Sequence, residues 1–206
     1  MEETVKTKKQ PKPLLHELYD WGESMLFALV MVIVILTFIV RGTVVDGDSM
    51  LPTLRDQQFL ALSRIYGSLS HNDIVVVYAP NLAADDGSGG YGKPIIKRVI
   101  GLPGDVISFD FDEGVVYRNN AALPLEYIDG FIYEDGHIIN DYTFTRRGVA
   151  DGAELTVPDN HIFVLGDNRN NSVDSRDKEV DMVSYNYIIG KVIFRVTPFD
   201  LFGRIL

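Results

Sequence analysis

The segment SMLFALVMVIVILTFIV, residues 24–40, constrains this chain more than any other, because it runs for 17 residues without a charge. As an α-helix it would be about 26 Å long at ~1.5 Å per residue. That is a little short of a hydrocarbon core of about 30 Å, with Trp21 and Arg41 flanking it as interfacial anchors. A helix in the core of a small globular domain keeps a polar stripe, and this run is apolar all round. A cleavable export signal is the other alternative, since Lys6, Lys8, Lys9 and Lys12 precede the run. The following RGTVVDGDSM lacks a good small-x-small pair, however, and the run is longer than most signal cores. The expectation is an uncleaved helix over 24–40 anchored in the lipid bilayer of a cell membrane, after a tail over 1–23. Four lysines lie before it and only Arg41 and Arg55 soon after. That bias puts the N-terminus in the cytoplasm and residues 41–206 outside, in a single-pass topology.

Composition narrows what the outer part does. The chain of 206 residues has no cysteine, which excludes disulfides, thiol catalysis and zinc–thiolate sites. Its formal charge is −10, and residues 41–206 carry −9 of it. A domain so acidic repels phosphate backbones, so no nucleic-acid partner is expected.

Beyond the anchor the sequence reads as strands and turns. DIVVVYAP (73–80) is a β-branched run that should end at Pro80, and NLAADDGSGGYGK (81–93) has the composition of a flexible loop. PIIKRVIGLPGDVISF (94–109) reads as strand, turn and strand, and GVVYRNN (114–120) as a strand and an Asn-Asn turn. Short strands broken by Asp-Gly pairs at 129–130, 135–136 and 151–152 follow. HIFVLGD (161–167) and YIIGKVIFRVTP (187–198) close the series. No repeat and no second amphipathic helix is evident. The expected domain is mostly β, coiled or barrel-like.

Three stretches could carry chemistry. VVDGDSMLPTLRD (44–56) holds Ser49 on a Gly-bearing turn stiffened by Pro52. Locally Ser49 looks more like a turn residue than a nucleophile, and a serine nucleophile needs a base. None of His16, His71, His137 and His161 has a distinctive context, although a Ser-His-Asp triad is not excluded, since triad order varies. Lys97 is a second kind of base. In PIIKRVIG the strand period sets Ile95, Lys97 and Val99 on one face and Ile96, Arg98 and Ile100 on the other. Both faces are largely apolar. Lys97 is then either a buried amine of lowered pKa that accepts a proton, or a side chain whose head reaches water. The third stretch, GDNRNNSVDSRD (166–177), is dense in polar groups. It fails the calcium-loop spacing, because Arg169 and Ser172 stand where a ligand and a glycine are needed. Asp174 and Arg176 can pair across it.

Four ordered blocks carry a resemblance: GDSMLPTL (47–54), NDIVVVYAP (72–80), IKRVIGLPGD (96–105) and GDNRNNSVDSR (166–176). Together with the apolar run, the chain resembles type I signal peptidases, membrane-bound serine endopeptidases that remove signal peptides from exported proteins. The single anchor is similar to the Gram-positive branch. The resemblance implies a Ser/Lys dyad with Ser49 as nucleophile and Lys97 as general base. It also implies that Ser172 hydrogen-bonds the lysine, that Asp174 and Arg176 form a supporting salt bridge, and that Met50 and Pro52 set the nucleophile's turn. Val45, Leu54, Leu60 and Ile96 match residues lining shallow pockets for small side chains at the first and third positions before the cut. The substrate peptide would add as a strand beside residues 44–46 and 94–96. The family's oxyanion hole uses the nucleophile's own N–H, helped in some members by a serine two residues earlier. Here that position is Gly47, which leaves the second donor unassigned.

The resemblance further implies a mostly β catalytic core over about 42–110 and 159–206, with an inserted β region over about 111–158. No metal or cofactor is implied. Expected partners are the signal peptides of secreted preproteins, the lipid bilayer and a neighbouring secretion translocon. Two other readings are weaker. A non-catalytic membrane-tethered module or pilus-assembly chaperone would lack the serine or the lysine. A self-cleaving repressor would need a DNA-binding domain where this chain has its apolar run.

Overall fold

Strand pairing after residue 40, with one long helix before it, organises the chain. The structure is a computed structural model that describes residues 14–38, 40–83, 89–111, 115–123, 133–134, 137–138, 149–150, 152–198 and 202–203. The leader lysines, the Asp-Gly pair at 129–130 and most of the expected insertion lie outside the described residues. Two compact units result, Met1–Ile39 and Val40–Leu206.

The first unit is α1 (Leu14–Phe38). It starts ten residues before the apolar run and so includes the polar turn around His16, Asp20 and Glu23. Val40 belongs to the first strand, which takes the last residue of the expected 24–40 segment. From Trp21 to Val34 the large apolar side chains of α1 are exposed. Among the described residues no helix is long and apolar enough to cross a membrane.

The second unit is mostly β. Its strands are β1 (Val40–Val44), β2 (Phe59–Ser63), β3 (Ile74–Ala83), β4 (Tyr91–Gly101), β5 (Val106–Asp110), β6 (Val115–Arg118), β7 (Ala121–Ala122), β8 (Tyr133–Glu134), β9 (His137–Ile138), β10 (Leu155–Thr156), β11 (His161–Leu165), β12 (Val183–Ser184) and β13 (Ile188–Arg195). Seven of them form one sheet in the order β1-β2-β13-β3-β4-β11-β12. No pairing among the described residues joins β1 to β12, so among these strands the sheet is open rather than closed into a barrel. A second sheet runs β10-β5-β6-β7, and β8 pairs with β9 alone. The second sheet recruits β5, upstream of the expected insertion boundary at 111.

Continuous apolar runs in the sequence become strands buried on both faces. On β3, Val75 and Val77 join Val99 and Val164 in one core, while Ile74 and Val76 join Leu60, Leu62 and Val192 in another. Ile100, Phe163 and Leu165 meet Ile107, Phe109 and Val116 of the second sheet in a third, where Phe109 stacks on Phe111 at 5.4 Å. β3 continues through Pro80 to Ala83, and β4 begins at Tyr91, so both ends of the expected 81–93 loop are strand. Pro80 is tolerated because it sits where the β3–β4 register shifts, between Ala79 and Ala83.

Candidate active site

The Ser49 turn is built by closing the segment that links β1 to β2. Val45 N–H donates to Gln58 O at 2.8 Å and Gln57 N–H to Val45 O at 3.0 Å, which joins the base of the loop. Within it, Leu51 N–H bonds Asp48 O and Leu54 N–H bonds Met50 O, tightening the chain around Ser49. Met50 is buried with Val45, Leu54 and Leu60, and Ile96 packs against the same cluster. The turn is thus rooted in a core that contains all four residues expected to line the substrate pockets. Leu54 and Leu60 expose no surface and Val45 almost none, so of the four only Ile96 remains partly exposed.

Lys97 reaches this turn from the middle of β4. Its Nζ lies 2.7 Å from Ser49 Oγ and 3.0 Å from Ile96 O. The side chain is 3% exposed. Burial strips water from the ammonium and pushes its pKa down from 10.5 to about 8, which the negative charge of Asp174 opposes and the charge of Lys93 assists. The head does not reach water, so of the two sequence alternatives the buried amine is the one observed. No histidine bonds Ser49 among the described residues. His71 meets Asp105 at 2.7 Å, and His161 Nδ1 lies 2.9 Å from Asp159 O.

The loop after β11 supports both groups. Asp174 and Arg176 make a two-point ion pair, Nε to Oδ1 at 2.8 Å and Nη2 to Oδ2 at 2.9 Å, with both side chains fully buried. Burial pushes the Asp174 carboxyl up, yet the Arg176 hydrogen bonds and charge, the Gly166 N–H and the Ser172 hydroxyl outweigh it and hold the pKa below the usual carboxylate range. Ser172 differs from expectation. Its Oγ is buried and makes no hydrogen bond of good geometry, to Lys97 or elsewhere, although it lies close enough to Asp174 to favour the carboxylate. The Ser172 side chain packs against Gly166, where a Cβ would collide with Ser172 and with the Ser49 carbonyl.

Several residues that sequence reasoning left unassigned prove central. Arg98 forms a second buried two-point pair, with Asp167, at 2.8 and 2.7 Å, and also donates to Asn72 O and to Thr53 Oγ1 of the nucleophile loop. A charged residue inside the apolar IKRVI was the available signal, because a buried guanidinium requires a carboxylate. Asn168 bonds the nucleophile turn twice, backbone N–H to Ser49 O at 3.0 Å and Nδ2 to Asp48 O at 3.1 Å. Asp56 accepts from the Gly47 N–H at 3.0 Å, and this bond leads the effects that lower its pKa. Gly47, at φ +82, therefore has its N–H engaged within the loop. The Ser49 N–H donates to no group among the described residues.

This arrangement pairs a hydroxyl with a desolvated amine, beside a backbone N–H without an internal acceptor. It is competent for acyl transfer. The described residues hold no group of three or more acidic or histidine side chains fit for a metal ion.

The family model described as signal peptidase, peptidase S26, matches residues 18–197. Signal peptidase I S of Bacillus subtilis is 33% identical over 193 residues, covering 88% of this chain and 90% of that protein. Signal peptidase I of Bacillus caldolyticus is 35% identical over 171 residues, covering 81% and 84%. Signal peptidase IB of Staphylococcus aureus is 33% identical over 194 residues, covering 90% and 93%. With a family match along most of its length and relatives at this identity over nearly all of theirs, the chain belongs to the signal peptidase family, peptidase S26, as an endopeptidase of type I.

Proposed function

We propose that this enzyme cleaves N-terminal signal peptides from exported preproteins after small-x-small (Ala-x-Ala-like) motifs, using Ser49 and Lys97 as a catalytic dyad. The observation that carries the reading is the 2.7 Å contact between Ser49 Oγ and a lysine amine buried to a pKa of about 8. Neutral Lys97 takes the hydroxyl proton as Ser49 Oγ attacks the scissile carbonyl carbon. The oxyanion forms against the Ser49 N–H. The C–N bond then breaks as Lys97 returns its proton to the leaving amine, and an acyl-serine ester remains. Water, deprotonated by Lys97, attacks the ester and regenerates the Ser49 hydroxyl. Asp174–Arg176 and Ser172 hold the walls around the lysine, and Met50 and Pro52 hold the turn.

Open strand edges favour an extended substrate. β11 covers β4 only from Arg98 to Gly101, so Ile95, Ile96 and Lys97 have β3 on one side and no strand on the other among the described residues. β1 is the outer edge of the large sheet, and Val45 turns its backbone groups inward to Gln57 and Gln58, which leaves those of Val44 and Asp46 facing out. A peptide entering between these edges is bound as a strand, and Val45 and Ile96, backed by the buried Leu54 and Leu60, admit a methyl group and little more. The apolar run 24–40, whose large side chains from Met25 to Val34 are exposed, supports a bilayer anchor with the N-terminus cytoplasmic and residues 41–206 outside, beside the secretion translocon. Purified full-length chain should cut a preprotein at its Ala-x-Ala site, and Ser49→Ala and Lys97→Met should lose that cleavage. Wild-type rates in either variant would refute the dyad.

A further inference from the structure

We infer that Asn168 is a positioning residue for the oxyanion donor, a role that rests on the Ser/Lys reading above and extends it. Two peptide groups flank Ser49, and Asn168 bonds both. Its backbone N–H holds the Ser49 carbonyl at 3.0 Å, and its side-chain Nδ2 holds the Asp48 carbonyl at 3.1 Å. The Asp48 carbonyl belongs to the same peptide as the Ser49 N–H, and this bond is not one of the chain's cis peptides. In a trans peptide the N–H points opposite to the C=O. Fixing the Asp48 oxygen against the 166–171 loop therefore aims the Ser49 N–H away from that loop, where it meets no acceptor of the described residues.

The Asn168 side chain is itself held in place. It is 6% exposed, and its Oδ1 accepts from Asn171 N–H at 3.2 Å, which leaves Nδ2 directed at Asp48. The other N–H at the head of the turn, that of Gly47, is committed to Asp56. The donor role thus falls on a single N–H whose direction is set by one amide side chain 120 residues away in sequence. A donor that must be aimed before charge develops is worth more than one that reorients during the reaction. Without the Nδ2 bond, Leu51 N–H, at 3.2 Å, is the one remaining donor to the Asp48 oxygen among the described residues.

The test compares wild type, Asn168→Ala and Asn168→Leu, each as the full chain in detergent. Five quantities are read: kcat, KM, the acid limb of the pH profile, and the affinities of a peptide aldehyde and of the corresponding product peptide. Loss of an oxyanion donor costs about 10²–10³ in kcat, so loss of its aim should cost about tenfold to a hundredfold. KM should stay within about twofold and the acid limb should stay in place. The aldehyde, which forms a tetrahedral adduct on Ser49, should weaken in step with kcat/KM while the product peptide does not. Asn168→Leu keeps the branched heavy-atom skeleton of the side chain and carries the same readouts where the alanine variant unfolds. A kcat within twofold of wild type overturns the proposal. So does a moved acid limb, which would place the effect on Lys97, or an equal loss of product-peptide affinity, or failure of both variants to fold. An active Ser49→Ala control would instead refute the dyad itself, so the two failures are distinguishable.

Discussion

Raising the pH from 6 to 9 should switch this enzyme on through one proton. Lys97 Nζ must be neutral to accept the Ser49 proton, and burial lowers its pKa from 10.5 to about 8. At ~1.4 kcal/mol per unit this is about 3 kcal/mol of lost charge stabilisation. An unshifted lysine would be about 0.3% neutral at pH 8, whereas this one is about half neutral. Below pH 8 the active fraction falls about tenfold per unit, so kcat/KM at pH 6 should be about a hundredfold below its plateau. The assay is cleavage of a quenched fluorescent peptide bearing an Ala-x-Ala site, with kcat/KM read at half-unit pH steps. Lys97→Arg should be inactive throughout, because a guanidinium does not deprotonate in this range. The same shift must appear in stability. Between pH 8 and 10.5 the unfolded chain keeps the Lys97 proton and the folded chain does not, so stability gains with rising pH across that window. Below pH 8 the buried charge costs its full penalty. Lys97→Met should therefore unfold at higher denaturant than wild type at pH 7, with the difference shrinking towards pH 10.5. A half-point near 10.5, an acid limb that is flat from pH 6 to 9, or an active Lys97→Arg would refute the reasoning.

Three further outcomes test the surroundings. Lys93 lowers the Lys97 pKa by charge repulsion, so Lys93→Gln should move the acid limb to higher pH in the same assay without changing the plateau. Gly166→Ala would drive a methyl group into the Ser172 side chain and the Ser49 carbonyl, and should cut activity at least tenfold and lower the melting temperature by circular dichroism. Arg98→Met would strand the Asp167 carboxylate in a fully buried position and should cost about 3–5 kcal/mol in a denaturant titration, while Arg98→Met with Asp167→Leu should recover much of it.

The residues of the candidate site were largely legible along the chain, their geometry much less so. Ser49 and Lys97 stand in blocks whose content and order are specific, and the alternation around Lys97 already placed apolar residues on both faces of its strand. The helix begins at Leu14, ten residues before the apolar run, because helix formation does not stop at the polar residues that precede such a run. β1 and β2 were missed because RGTV and FLALS are short and patterned ambiguously, and their pairing with each other and with β13 makes them strands. Pro80 was read as a terminator because a sequence does not show where a sheet's register will shift.

Composition and local order determined the residue types available for catalysis: one turn-borne serine, a strand lysine without nearby acid in sequence, and a polar loop with its own Asp and Arg. Tertiary structure alone decided which groups touch and how dry they are. Ser49 and Lys97 are 48 residues apart, Arg98 and Asp167 are 69 apart, and Asp48 and Asn168 are 120 apart. Such contacts depend on β4 lying between β3 and β11, which no local pattern encodes. A lysine's pKa follows the water it loses, and that water is removed by residues remote in the chain.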